Sequence, residues 1–354
     1  MNSPPSHRES SRDQARQRFL TPTTTTAMWW LRWVVLIQCI GVVGRYLLSS
    51  VETESDIYGW LYFDLHWPES LCQGIDDFGM VLTLVAAVVI GVAGWCRSKC
   101  DPVSIVASIA HWSDQVALVW VAVWMLALSL AHMIRASVYG ELALAEHAVR
   151  YAAPIALLML SWRPVSMGHP VGEPSSLLKK GSDPLRRFEF TMLQQRLQRV
   201  RPLFQQAASR GRGKMALSVL VLAAAATFLA HGYKAMECYA PFTDLILLSD
   251  LQWTGFGFSQ STAERALVAI GVLDAIVAIA LVVFRFRIAA AYMAIWGWVT
   301  AASRMSALGL DAWPETVLRA ANGGVPFVIL LLLVAQLAAQ QHSAQQNSAQ
   351  FESE

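Results

Sequence analysis

Charged residues are scarce in this 354-residue chain: Asp, Glu, Lys and Arg make up 15% of it, against 55% hydrophobic residues. A soluble domain carries about a quarter of its residues as charge, so that class is excluded and a chain solvated by lipid is indicated. Cysteine is also rare. Five are present and none forms a Cys-x-x-Cys pair, which argues against a thiol–disulfide relay. For Cys72 and Cys238, in or beside predicted outer loops, a bridge is the weaker alternative and free thiols the stronger. No His/Cys/Glu spacing suits a metal, no Gly-rich loop suits a phosphate, and no Ser/His/Asp set lies together. Metal, nucleotide and nucleophilic chemistry lack their residues, and nothing points to nucleic acid.

What the chain does have is long apolar runs. Crossing a hydrocarbon core takes about 20 residues per helix. Eight runs meet that need, at roughly 28–48, 76–96, 114–135, 143–162, 215–236, 264–285, 287–308 and 317–339. The fourth and eighth carry Glu146, Arg150, Glu315 and Arg319 near their starts. The predicted fold is an all-α integral membrane protein of eight transmembrane helices, arranged as two tandem four-helix bundles in parallel orientation.

Lys and Arg placement orients the chain, because cytoplasmic loops are enriched in both. Threading eight spans puts Arg8, Arg12, Arg16, Arg18, Arg97, Lys99, Arg285 and Arg287 on one side, with the Arg-rich 163–214 segment. Glu52, Glu54, Asp56, Asp64, Glu69, Glu237, Asp244 and Asp250 fall on the other. The expectation is a bacterial cytoplasmic (inner) membrane with both termini cytoplasmic.

Three correspondences in the same order indicate a duplication. Asp64 to Trp67 (Asp-Leu-His-Trp) returns as Asp250 to Trp253 (Asp-Leu-Gln-Trp). Glu146, Arg150 and Ala152 return as Glu315, Arg319 and Ala321, and Trp124 with His132 returns as Trp296 with Arg304. The duplication needs the first apolar run as partner of the fifth, which argues against a cleaved secretion signal. The expected organisation is a disordered tail over 1–26, a first repeat over 27–162, a linker over 163–214, a second repeat over 215–340 and a tail over 341–354. From Leu185 to Phe204 the linker shows apolar residues at helical spacing among arginines, as in a helix lying on the membrane surface. Residues 56–68 and 241–253 are too short to span and too apolar for water, and are expected to cap each bundle's outer mouth.

Ionisable groups inside a membrane need partners or a wet cavity. In the first repeat, Arg45, Asp76, His132, Arg135, Glu146 and Arg150 belong to the outer ends of four helices; in the second, His231, Lys234, Arg304, Glu315 and Arg319 do. Glu146 with Arg150, and Glu315 with Arg319, are spaced to neutralise each other along one helix face. Lys234 is spaced to reach the outer interface. Asp274, about ten residues into the sixth run, lies near mid-depth, where it is protonated, paired with Lys234, Arg304 or His231, or part of a conducting path.

From Phe228, His231, Gly232 and Lys234 through Ile270, Gly271 and Asp274 to the turn Arg285–Phe286–Arg287, the second half resembles the DoxX-like family of four-helix bacterial membrane proteins. The first half is similar through the duplication, with Gly44, Arg45 and Tyr46 in the place of Gly232, Tyr233 and Lys234. The resemblance implies a bundle associated with quinone-linked redox or sulfur metabolism, often as a non-catalytic subunit, and carries over no catalytic residue.

The leading reading is a non-catalytic membrane protein. It is either an accessory subunit of a membrane partner or homo-oligomer, or a binder of a small amphiphile such as quinone or lipid in two outward-facing polar pockets. A proton-coupled transporter using Asp274 is the alternative, and an oxidoreductase ranks third.

Overall fold

The computed structural model describes residues 24–48, 54–99, 104–136, 138–162 and 211–351. The surface helix expected between Leu185 and Phe204 lies outside them. All regular structure among the described residues is helical. In the first half, α1 (Thr24–Val43) runs into a π turn (Gly44–Leu48), followed by a short α2 (Asp56–Gly59) with its own π turn (Trp60–Asp64). Two 31-residue helices follow, α3 (Glu69–Lys99) and α4 (Ile105–Arg135), then a 3-10 turn (Gly140–Leu142), α5 (Ala143–Glu146) and α6 (Ala148–Ser161). In the second half, α7 (Gly211–Met236) leads to α8 (Ala240–Ser249) and a π turn (Asp250–Thr254). Then come α9 (Gln260–Phe284), α10 (Arg287–Leu308), a 3-10 turn (Leu310–Ala312), α11 (Trp313–Leu318) and α12 (Ala320–Phe351). Apart from the π turn after α1, the same order of elements occurs twice.

Among the described residues seven helices are long and apolar enough to cross a membrane, and their exposed faces are apolar, as Phe78, Val88, Val116, Ile276 and Val283 illustrate. The eighth expected run, α10, has 22 residues and so enough length, but Arg287, Thr300, Ser303, Arg304 and Ser306 dilute its apolarity. Helices begin earlier than the apolar runs because polar caps lie outside those runs. The Ser104 hydroxyl accepts from Ala107 N at 3.1 Å, and that of Ser259 accepts from Thr262 N at 3.3 Å. Likewise α1 begins at Thr24, inside the stretch expected to be a tail, and α12 continues to Phe351.

The halves interlock. α1 packs on α3 and α6 of its own half and, more extensively, on α11 and α12 of the other. A Cβ on Gly41 would lie 2.1 Å from the backbone N of Leu318, so only glycine lets α1 and α11 approach this closely. Gly324 faces Val34 of α1, while Gly323 faces α10. On the opposite flank α7 meets the junction of α5 and α6. The Thr227 hydroxyl donates to Ala145 O at 3.1 Å and accepts from Val149 N at 3.4 Å. Those two groups are i and i+4 partners, so Thr227 inserts into the helical ladder and explains the break at His147. At the break Arg150 N bonds back three residues to His147 O, and Arg319 N does the same to Thr316 O between α11 and α12. The two bonds occupy corresponding positions, whereas the breaks themselves, at His147 and Arg319, lie three residues apart in that correspondence. At the other end, Arg32 of α1 grips the fully buried Asp114 of α4 at 2.6 and 3.1 Å and donates to Ile90 O of α3 at 2.6 Å.

Candidate functional site

Two caps close one end of the helical assembly. In the first, Ser55 caps α2 and donates from its backbone N and hydroxyl to Asp76 at 3.0 and 2.5 Å. In the second, Gln252 Nε2 donates to Ala307 O at 2.8 Å and Trp253 Nε1 to Ser306 O at 2.9 Å, which fastens the π turn to α10. Asp250 accepts from the Thr254 hydroxyl, Phe258 N at 2.8 Å and Phe256 N at 2.9 Å. These bonds, the Thr254 hydroxyl first, hold its carboxyl below the usual range. Asp64, its sequence counterpart, is exposed and sits 3.7 Å from Arg135.

Beneath the caps, the two clusters of ionisable residues expected as separate pockets converge on one chamber of ≈ 560 Å³. Arg45, His132, Glu146 and Arg150 of the first half and Lys234, Arg304, Glu315 and Arg319 of the second line it together. Within it, Glu146 pairs with Lys234 of the opposite half, and Glu315 pairs with Arg45 of the opposite half at 2.7 Å. Each glutamate near the start of a half's last long helix is thus met by a cation at the capped end of the other half's first helix. Glu315 also accepts from Arg319, so two guanidiniums share its carboxylate.

Several expectations are corrected. Arg319 does bond Glu315 along one helix face, but Glu146 does not pair with Arg150. The break at His147 disrupts the i,i+4 register, and Glu146 turns to Lys234 and to His231, whose Nε2 is 3.5 Å away. Lys234 is buried and does not reach an interface. Asp76 is spent on anchoring the first cap. Arg135 lies at the cap rim, over Phe63 and against Gly59. Neither lines the chamber. Cys72 and Cys238 are free thiols.

A second cavity of ≈ 570 Å³ lies within the second half, running from Asp250 and Phe258 of the cap down to Asp274. Its walls are mainly apolar, from Phe228, Leu245, Ile246, Leu267 and Ile270, and Phe242, Arg304 and Arg319 line both cavities. Asp274 is buried where α7 and α9 cross backbone to backbone at Gly232 and Gly271. Its expected cationic partner is replaced by the Tyr292 hydroxyl, which donates to Oδ1 at 3.1 Å, and Trp296 lines the same cavity.

Sequence reasoning missed Asp56, His147, Tyr239 and Phe242, all of which line the chamber. Asp56 accepts from His132 Nδ1 at 2.9 Å; burial raises its carboxyl, but that bond and the charges of His132, Arg45 and Arg135 bring it below the usual range. The available signal was its place at the head of an unusually apolar loop. Phe242 stacks on His231, and Tyr239 packs under Lys234 as a cation–π platform. Arg32 and Asp114 carried a plainer signal, being charges in or at the edge of apolar runs.

No protein-family model, curated protein or solved structure matches the chain. Among the described residues no group of three His, Cys, Asp or Glu side chains could hold a metal ion.

Proposed function

We propose that this is a non-catalytic protein of a bacterial inner membrane, made of two parallel four-helix repeats with eight crossings and both termini cytoplasmic. It binds a small amphiphile, a quinone or a lipid, between the capped chamber and the apolar cavity, as an accessory subunit beside a membrane partner or a second copy of itself. The resemblance of Gly232, Lys234, Gly271, Asp274 and the 285–287 turn to DoxX-like proteins fits this reading. The observation that carries it is the adjoining of a charged chamber and an apolar cavity through Phe242, Arg304 and Arg319, each cavity within the range of small-ligand sites. Together they offer one end to a polar head and the other to an apolar body. α10 completes the eighth crossing, its polar residues turned to the cavities, where Trp296, Thr300, Ser303, Arg304 and Ser306 all lie. Native mass spectrometry of the gently solubilised protein tests this reading: a retained amphiphile is expected, and a bare chain under every mild condition would contradict it.

Proton-coupled transport through Asp274 is a second reading, favoured by one observation. Asp274 is a cavity carboxylate that makes no ion pair among the described residues, in a chain with parallel repeats. Proton flux in proteoliposomes that is lost in Asp274→Asn supports it, and no flux in the wild type removes it.

A further inference from the structure

Arg150, Arg304 and Arg319 all line the chamber, and Arg304 and Arg319 also line the apolar cavity. Arg319 is neutralised by Glu315. That carboxylate is shared with Arg45, and Glu146 is taken by Lys234 and His231. Arg150 and Arg304 form no ion pair among the described residues, and the Nε of each is a buried donor with no acceptor. Two partly buried guanidiniums share the chamber with a third, while its two glutamates and Asp56 are engaged elsewhere, which leaves positive charge that favours an anion. Guanidinium forks bind carboxylate and phosphate oxygens in pairs, which a neutral carbonyl or hydroxyl head cannot match.

The path away from the guanidiniums is set as well. Arg304 and Arg319 open onto the ≈ 570 Å³ cavity, whose walls turn apolar at Phe228, Leu267 and Ile270. Resting on the amphiphile reading above, we propose that the ligand is an acidic amphiphile whose carboxylate or phosphate head is clamped by Arg150 and Arg304. Its chain lies under the second cap and extends toward Asp274. This favours an acidic lipid over a quinone, whose head is uncharged.

Native mass spectrometry with added probes tests this. The purified full chain, in a neutral detergent, is offered equal concentrations of dodecanoate, dodecyl phosphate, dodecanol and a short-chain ubiquinone, and in a separate arm inorganic phosphate. At least one acidic probe is expected to occupy the protein about tenfold more than dodecanol, the gain of one charge-assisted pair. Arg150→Gln and Arg304→Gln each remove that preference while dodecanol binding persists, Arg304→Lys keeps part of it, and the exposed Arg285→Gln leaves it intact. Melting curves establish that the variants fold. If dodecanol or ubiquinone binds as well as the acids, the anionic head is overturned and the amphiphile reading survives. If no chain-bearing probe binds, or inorganic phosphate alone does, both fall. Preference for dodecanoate or for dodecyl phosphate tells a carboxylate head from a phosphate head.

Discussion

Gln38 of α1 donates its side-chain amide to the backbone carbonyl of Arg150 at 2.9 Å, and Pro154 is the reason that carbonyl is free. Proline at position 154 of α6 has no N–H to return to the carbonyl four residues earlier. A fully buried glutamine from a neighbouring helix takes the place of the missing bond. Replacing Gln38 by Leu strands the carbonyl and is expected to cost about 1–3 kcal/mol. Adding Pro154→Ala restores an N–H and recovers most of the loss. Thermal melts in detergent read both; a double variant no better than the single contradicts the assignment.

The close approach of Gly41 to Leu318 predicts that Gly41→Val parts α1 from α11. Overpacking of this kind costs about 1–3 kcal/mol, and here the obstacle is backbone, which cannot rotate aside. Gly91→Val, whose nearest neighbour is the flexible end of Leu36 at 3.9 Å, is the matched control and should shift the melt little. Equal effects at the two positions would contradict the packing described.

Asp250 predicts an acid-sensitive cap. Its folded-state pKa lies below the unfolded value, so its contribution is complete above the usual carboxylate range and is lost as pH falls through the lower folded value. Hydrogen-exchange protection of the Phe256 and Phe258 amides should hold at neutral pH and fail in strong acid. In Asp250→Asn it should be weak throughout. Protection that ignores both acid and the substitution would refute the cap's design.

Arg32 and Asp114 form a buried pair away from the chamber, so their role is structural. Asp114→Ala leaves Arg32 without its carboxylate and is expected to cost about 3–5 kcal/mol. Arg32→Met with Asp114→Leu should recover most of the melting temperature, and failure to do so would place the effect elsewhere than in the stranded charge.

Apolar run length and the paired motifs made the helical class, the order of elements and the two caps legible in the sequence. Helix ends were less so, because Ser104 and Ser259 begin helices in polar sequence several residues before the apolar runs. The membership of the ionisable cluster was readable, its pairing was not. Periodicity along one helix suggests Glu146 with Arg150, whereas the choice of Lys234 depends on Thr227 opening α5–α6 and on α7 lying across that junction. Such facts belong to the contact between halves, and spacing within one helix carries no record of them. The same holds for Asp274, whose partner Tyr292 sits on the next helix at a position that composition does not distinguish from packing.

The central claim is that the halves share one chamber, locked by reciprocal glutamate–cation pairs. Double-mutant cycles on stability test it most directly, with Glu146→Gln and Lys234→Met in one cycle and Glu315→Gln and Arg45→Met in the other. Each single substitution should destabilise by leaving a partly buried charge without its partner. Each double should cost less than the sum of its singles by about 1 kcal/mol or more. Purely additive losses in both cycles would mean that these residues do not face each other, and that the two halves do not close around a common chamber.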